Sequence, residues 1–220
     1  TTGPTGSGKT TTLYACLKKL RSPQIKVITI EDPIEYHLDG ISQTQVDHDK
    51  GYDFGNGLRA AVRQDPDVIM VGEIRDEETA SVAIDSALTG HIVFSTLHTN
   101  NAAGAIPRLI DIGVNPKIIS SALNIAIGQR LVRRLCSFCK EEYTPIGKER
   151  EVIDREFAVI EKYRPNITYP QTLWRAKGCE KCSFTGYKGR ISIYEGILMD
   201  RAVEEVLREN PSEREIKEAS

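Results

Sequence analysis

Long apolar runs are missing from this 220-residue chain: no stretch approaches 18 apolar residues, so nothing in it reads as a membrane span. Also missing is a basic segment followed by an apolar one, the pattern of an export leader. Neither charge sign dominates, with 29 Lys and Arg against 31 Asp and Glu. A net charge of −2 gives no global pull toward nucleic acid or anionic lipid, so any such role must be local. There is no internal repeat and no low-complexity tract. What is present, 40% apolar and 27% charged residues, suits one soluble α/β domain with a small appendage.

Its first ten residues organise the rest. Gly3, Pro4, Thr5, Gly6, Ser7, Gly8, Lys9 and Thr10 match G-x-x-x-x-G-K-[ST], the phosphate-binding loop. Glycines let the backbone curl so that successive N–H groups point inward as an anion nest. The helix that follows, with Leu13, Leu17 and Leu20 on one face, offers its positive dipole end to the phosphates. Lys9 then serves the β/γ oxygens, the Thr10 hydroxyl is the expected Mg²⁺ ligand, and Thr11 lies beside it. The ligand implied is ATP with Mg²⁺. Such a loop usually follows an apolar strand, yet only Thr1 and Thr2 precede it. The last stretch, Glu213 to Glu218, reads as a helix that stops without a cap at its end. Both ends therefore read as cuts from a longer protein.

Strands and helices alternate after the loop, which predicts a mostly parallel sheet flanked by helices. Ile25–Ile30 is a β-branched strand ending in acids, Glu31, Asp32 and Glu35, with Pro33 as its stop. Residues 41–46 alternate like a short half-exposed strand, and 54–64 form a helix with Arg59 and Arg63 on one side. Val68–Val71 is the most buried-looking strand, flanked by Asp67 and Glu73. Asp76-Glu77-Glu78 opens a helix that Gly90 closes. His91–His98 is a strand, 101–112 a helix kinked at Pro107, and 115–127 another helix. The expected boundaries are 1–127 for the core, 128–199 for a cysteine-bearing subdomain and 200–220 for a further helical region.

Hydrolysis of a triphosphate needs one acid to order Mg²⁺ and one to orient or deprotonate water. Glu73 ends its apolar strand as a Walker B acid does, although Gly72 replaces the usual preceding aspartate. Glu31, Asp32 and Glu35 form a second acidic group at a strand mouth. His98 follows Ser95-Thr96 at a strand's carboxyl end, where a γ-phosphate sensor belongs; His91 lies at the amino end of the same strand.

Cys136-x-x-Cys139 and Cys179-x-x-Cys182, 39 residues apart, can each grip one metal as a knuckle. Together they give the Cys₄ closure of a structural Zn²⁺ site, in a compartment where thiols stay reduced. Cys16 reads as a core residue of the first helix.

These motifs, Gly3–Thr10, Glu31–Glu35, Leu58 through Glu73-Ile74-Arg75-Asp76, and Thr89-Gly90-His91 through His98-Thr99-Asn100, resemble the Walker A, Asp box, Walker B and His box of the secretion ATPases, the motors of type II secretion and type IV pili. The resemblance covers most of the chain in order. It implies a RecA-like P-loop fold working as a homo-hexamer, with ATP between subunits. It assigns Glu73 to Mg²⁺ and water, Glu35 as the base, and His91 and His98 to phosphate sensing, and in this family Gly72 is normal. Arg59, Arg63, Arg75 and Arg108 become candidates to act across subunits. The tetracysteine element points to an assembly or secretion motor rather than a retraction motor. The partner would be an inner-membrane platform protein, and the place the cytoplasmic face of that membrane. A zinc-containing ATPase that remodels nucleic acid is the alternative, suggested by Arg130, Arg133, Arg134 and the basic run 175–190. Few aromatics (Phe138, Phe184, Tyr187) stand by for base stacking, so no nucleic acid is expected. A nucleotide-gated scaffold without turnover is the third reading.

Overall fold

The computed structural model describes residues 1–163, 166–207 and 211–220. Two compact units emerge, one made of 1–131 with 192–220 and the other of 132–191.

The first unit starts at the phosphate loop, which leads into α1 (Lys9–Leu20). Then come β1 (Val27–Glu31), β2 (Ser42–Gln45), α2 (Phe54–Val62), β3 (Val68–Val71), α3 (Glu77–Leu88) and β4 (Ile92–Ser95). Helices α4 (Ala105–Asp111) and α5 (Pro116–Ala122) precede the long strand β5 (Ile125–Leu135). The four strands β2-β1-β3-β4 form a parallel sheet in that order. Period-two alternation divides its side chains between two faces. Ile28, Ile30, Ile69 and Val71 join the α2 and α3 side, where Leu58, Ala80 and Ala83 are buried. Val27, Val68 and Met70 join the α1 side with Leu13, Tyr14 and Leu17. Burial on both faces is why β3 is a continuous apolar run, while the outer strands β2 and β4 are only partly covered.

Thr2 ties the loop into this sheet through parallel bridges to Leu97, beyond β4, and to Gly128 in β5. Its N–H donates to the Ile127 carbonyl at 2.7 Å, and the Gln129 N–H donates to the Thr2 carbonyl at 2.9 Å. Helix starts follow their caps. The Asp53 side chain accepts from Asn56 N–H, Asp76 from Thr79 N–H, and Asn115 from Lys117 N–H with Pro116 at the first helical position.

Two expectations for this unit change. The helix carrying Pro107 starts at Ala105, not at 101, so the proline sits in its first turn, where its missing N–H interrupts nothing. The helix expected over 115–127 stops at Ala122, and residues from Ile125 onward are the strand β5.

The second unit contains β6 (Glu141–Tyr143), α6 (Lys148–Tyr163) and β7 (Leu173–Arg175), with β6 and β7 pairing antiparallel. Strand β8 (Tyr187–Leu198) pairs with β5, and each of these strands has residues in both units. The first unit resumes at Ser192 and ends with α7 (Arg201–Leu207) and α8 (Glu213–Ala219). Val203, Leu207 and Ile216 are buried in the main core, and a reciprocal Ser212–Glu215 capping box opens α8. Among the described residues no helix is long and apolar enough to cross a membrane.

Candidate functional site

The phosphate loop takes the backbone shape that its glycines permit. Gly3, Gly6 and Gly8 have φ of 144°, 76° and 90°, in the region that L side chains avoid. At Gly3 space excludes a side chain as well, because a Cβ there would lie 2.3 Å from the Gln129 carbonyl oxygen. Gly8 caps α1, so the first-turn amides of a twelve-residue helix face the loop unpaired by helix geometry. The Lys9 side chain turns back over the loop, donating to the carbonyls of Gly3 at 2.8 Å and Pro4 at 3.3 Å. Burial pulls the Lys9 ammonium below its ordinary pKa, and the nearby Glu73 charge only partly offsets this.

At the carboxyl end of β3, Glu73 is buried and clamped by two partners. Arg75 Nη2 lies 2.5 Å from one carboxylate oxygen, and His98 Nε2 lies 3.1 Å from the other. The hydroxyls of Ser95 and Thr96 donate to the carbonyls of Val71 and Gly72, which fixes the end of β4 against the strand end that carries Glu73. Three residues named from the sequence, Glu73, Arg75 and His98, therefore meet at one place, within electrostatic reach of Lys9. His91 does not join them. It sits before β4, at the opposite end of a parallel strand, with Nδ1 2.9 Å from the Ser86 carbonyl.

The Asp box divides into two environments. Asp32 and Glu35 are exposed on the loop, and Asp32 reaches to within 4.0 Å of His48. Glu31 is not on that loop: it is the last residue of β1, turned to the α1 face and 2% exposed. There it accepts from the Tyr14 hydroxyl, from Thr29 Oγ1 at 2.5 Å and from Gln43 Nε2 at 3.0 Å. Burial, then the bond to Glu31, pushes the Tyr14 phenol well above its usual range. Gln43 and Gln45 of β2 also accept from the N–H groups of Leu38 and Ile34, which pins the acidic loop from below. These glutamines and Tyr14 were not read from the sequence as site residues; the only signal was a polar alternation on β2 and a tyrosine on the apolar face of α1. Tyr14→Phe should cost about 1–3 kcal/mol of stability, because it leaves a buried carboxylate short of a donor. A denaturant titration with an unchanged midpoint would contradict that.

The arginines are dispersed. Arg75 is in the site, Arg59 pairs with Glu78 and Asn56 Oδ1, and Arg63 and Arg108 are exposed. Cys16 is half-buried on α1 rather than fully in the core.

In the second unit the sulfurs of Cys136, Cys139, Cys179 and Cys182 lie within 4.8 Å of one another. Cys182 Sγ is 3.8 Å from both Cys139 Sγ and Cys179 Sγ. A tetrahedral ZnS₄ centre with bonds of about 2.3 Å has edges of roughly 3.8 Å, so this donor set fits Zn²⁺. The Cys182 sulfur also accepts from the N–H groups of Cys179 and Gly186, each at 3.2 Å. Burial alone would raise its pKa, but those N–H bonds and the neighbouring thiols bring it down to about 6, toward the thiolate that a metal requires.

With this geometry in hand, the chain can be set beside known proteins. The sequence pattern of the family described as "Type II/IV secretion system protein" matches residues 1–220. The chain belongs to that family. It is 51% identical over 213 residues to the Type II secretion system ATPase E of Vibrio cholerae, covering 97% of this chain and 40% of that protein. It is 48% identical to the Type IV pilus assembly ATPase PilB of Thermus thermophilus, over 99% of this chain and 24% of the relative. A solved structure of the pilus retraction motor PilT with bound ADP aligns with a TM-score of 0.65 at 33% identity, covering 95% of this chain and 49% of that one. The RecA-like P-loop architecture expected for the family agrees with this structural likeness. The chain spans about two fifths of the length of the curated type II relatives it matches.

Proposed function

We propose that this chain is the catalytic core of an ATP-hydrolysing motor that powers assembly of a pilus or pseudopilus. The observation that carries the reading is the clamped Glu73, held by Arg75 and His98 within electrostatic reach of the phosphate-loop lysine. Lys9 and the α1 amides would grip the phosphates, and Thr10 and Glu73 would hold Mg²⁺. When bound, that ion neutralises charge developing on the transferred phosphoryl group. Glu73, oriented through both oxygens, would order the attacking water, and His98 would report the presence of a terminal phosphate. Glu35, exposed on the acidic loop, is the proposed general base, while Glu31 supports that loop from below rather than touching nucleotide.

Turnover by a homo-hexamer with nucleotide at subunit boundaries, on the cytoplasmic face of the inner membrane and coupled to a platform protein, completes the proposal. Relatives named for type II secretion and for type IV pilus assembly support this direction of work. The cysteine quartet, proposed to hold one structural Zn²⁺, supports it too. The deciding experiment is Glu73→Gln in the full-length protein. Affinity for MgATP should stay within about threefold while kcat falls on the order of 10²–10³-fold. An unaltered kcat would remove Glu73 from the chemistry and the motor reading with it.

A further inference from the structure

Ser7 and Gln129 are almost wholly buried, 3% and 2% exposed, and each keeps one side-chain atom without a hydrogen-bond partner: Ser7 Oγ and Gln129 Oε1. Unpaired buried polar atoms are costly and rare, and each calls for a use. The chemistry of these two is complementary, since a hydroxyl can donate and an amide oxygen only accepts.

Their placement is specific as well. One point, where a Cβ on Gly3 would sit, lies 2.8 Å from Ser7 Oγ and 2.3 Å from the Gln129 backbone oxygen. A Cβ on Gly8 would lie 2.9 Å from Gln129 Nε2. Gln129 thus underlies the loop at both ends, with its backbone against Gly3 and its carboxamide against Gly8. The residue is itself anchored away from the loop. Its N–H donates to the Thr2 carbonyl at 2.9 Å, and Nε2 donates to Ser192 Oγ at 3.4 Å in β8. The Nε2 bond leaves Oε1 as the one acceptor of this buried carboxamide without a partner.

We propose that Gln129 is a positioning residue of the phosphate site. Its carboxamide oxygen receives the Ser7 hydroxyl when the loop contracts on a nucleotide β-phosphate, which fixes the amides of Gly6, Gly8 and Lys9 toward that anion. The proposal rests on reading the loop as a nucleotide site and adds a residue from a strand that carries no phosphate motif. Because the bond forms only with the ligand, its energy appears in nucleotide affinity and not in the stability of the free protein.

Calorimetric titration of the full-length protein with MgADP tests this in the parent, Ser7→Ala, Gln129→Met and the double variant. Methionine preserves the volume of glutamine and removes its polar atoms. Each single change should weaken MgADP about 5- to 30-fold, the loss of one hydrogen bond. The double variant should bind no more weakly than the worse single, because both changes delete the same bond. The melting temperature without nucleotide should be unchanged or higher in Ser7→Ala, which removes an unpaired buried atom, and little changed in Gln129→Met, which also loses the long 3.4 Å bond to Ser192. Parent-like affinity in either single variant overturns the proposal. So do additive losses, or a loss of affinity matched by a lower melting temperature, which is the mark of packing alone. Lys9→Ala separates the two levels. If it loses MgADP while Ser7→Ala and Gln129→Met retain it, the inference fails and the nucleotide site stands. If the parent itself does not bind MgADP, both fall.

Discussion

Lys9→Ala in the full-length protein should lower MgATP affinity on the order of 10²–10³-fold and bring turnover to background. The expectation follows from where the ammonium is held. Lys9 is 9% exposed and lies over the loop on the carbonyls of Gly3 and Pro4, where its charge meets the phosphates at close range. Burial already works against the protonated form, and the negative charge of Glu73 works for it. A bound triphosphate adds negative charge at the same point and favours the ammonium further, so the lysine and the anion stabilise each other. Alanine leaves those phosphate oxygens without a cationic partner in a desolvated cradle, the situation in which removing one member of a charge pair costs most. Lys9→Arg keeps the charge but cannot fit the tight return of the chain, so it should recover only part of the affinity. Equilibrium binding with a fluorescent nucleotide measures both. Retention of parental affinity by Lys9→Ala would show that the loop is not the phosphate site.

The second large effect belongs to the other unit. Cys182→Ser should reduce bound zinc from one equivalent per chain to a small fraction, and the region 132–191 should become sensitive to limited proteolysis. Cys182 is the most demanding of the four, because its sulfur is 3.8 Å from two other sulfurs and accepts two backbone N–H bonds. Serine offers a harder and less acidic ligand, and the metal's contribution to folding, about 10–16 kcal/mol in small zinc domains, is largely lost with it. Metal analysis by mass spectrometry, with protease digestion monitored in parallel, gives the answer. A Cys182→Ser protein that keeps a full equivalent through gel filtration in chelator would refute the four-sulfur site. Nucleotide binding by the first unit serves as the control, since none of the cysteines lies in the phosphate loop.

The sequence is most legible where chemistry requires a fixed residue type in a fixed order. The loop glycines, Lys9, the Walker B acid and the paired knuckles are of that kind, and so are the acidic helix start at Asp76 and the buried strand Val68–Val71. It is least legible where residue type is uninformative without neighbours. Asn124-Ile125-Ala126-Ile127 continues an apolar helix pattern as readily as it starts a strand, and pairing of β5 with Thr2 and β8 decides for the strand. Gln129, a polar residue that no motif singles out, lies buried under the loop. Glu31 looks like one more acid at a strand mouth, and only the facing Tyr14, Thr29 and Gln43 reveal it as an interior brace. In each case the missing information was a partner distant in the chain.

The cysteine-bearing unit leaves the core at residue 131 and re-enters it at 192, through two strands hydrogen-bonded to each other. Its exit and entry are therefore neighbours, so a tight hairpin joining them would close the remaining chain without stretching it. The cysteine-bearing piece is thus spliced into the core between adjacent strands, so a change in its length need not stretch the framework that carries the phosphate loop.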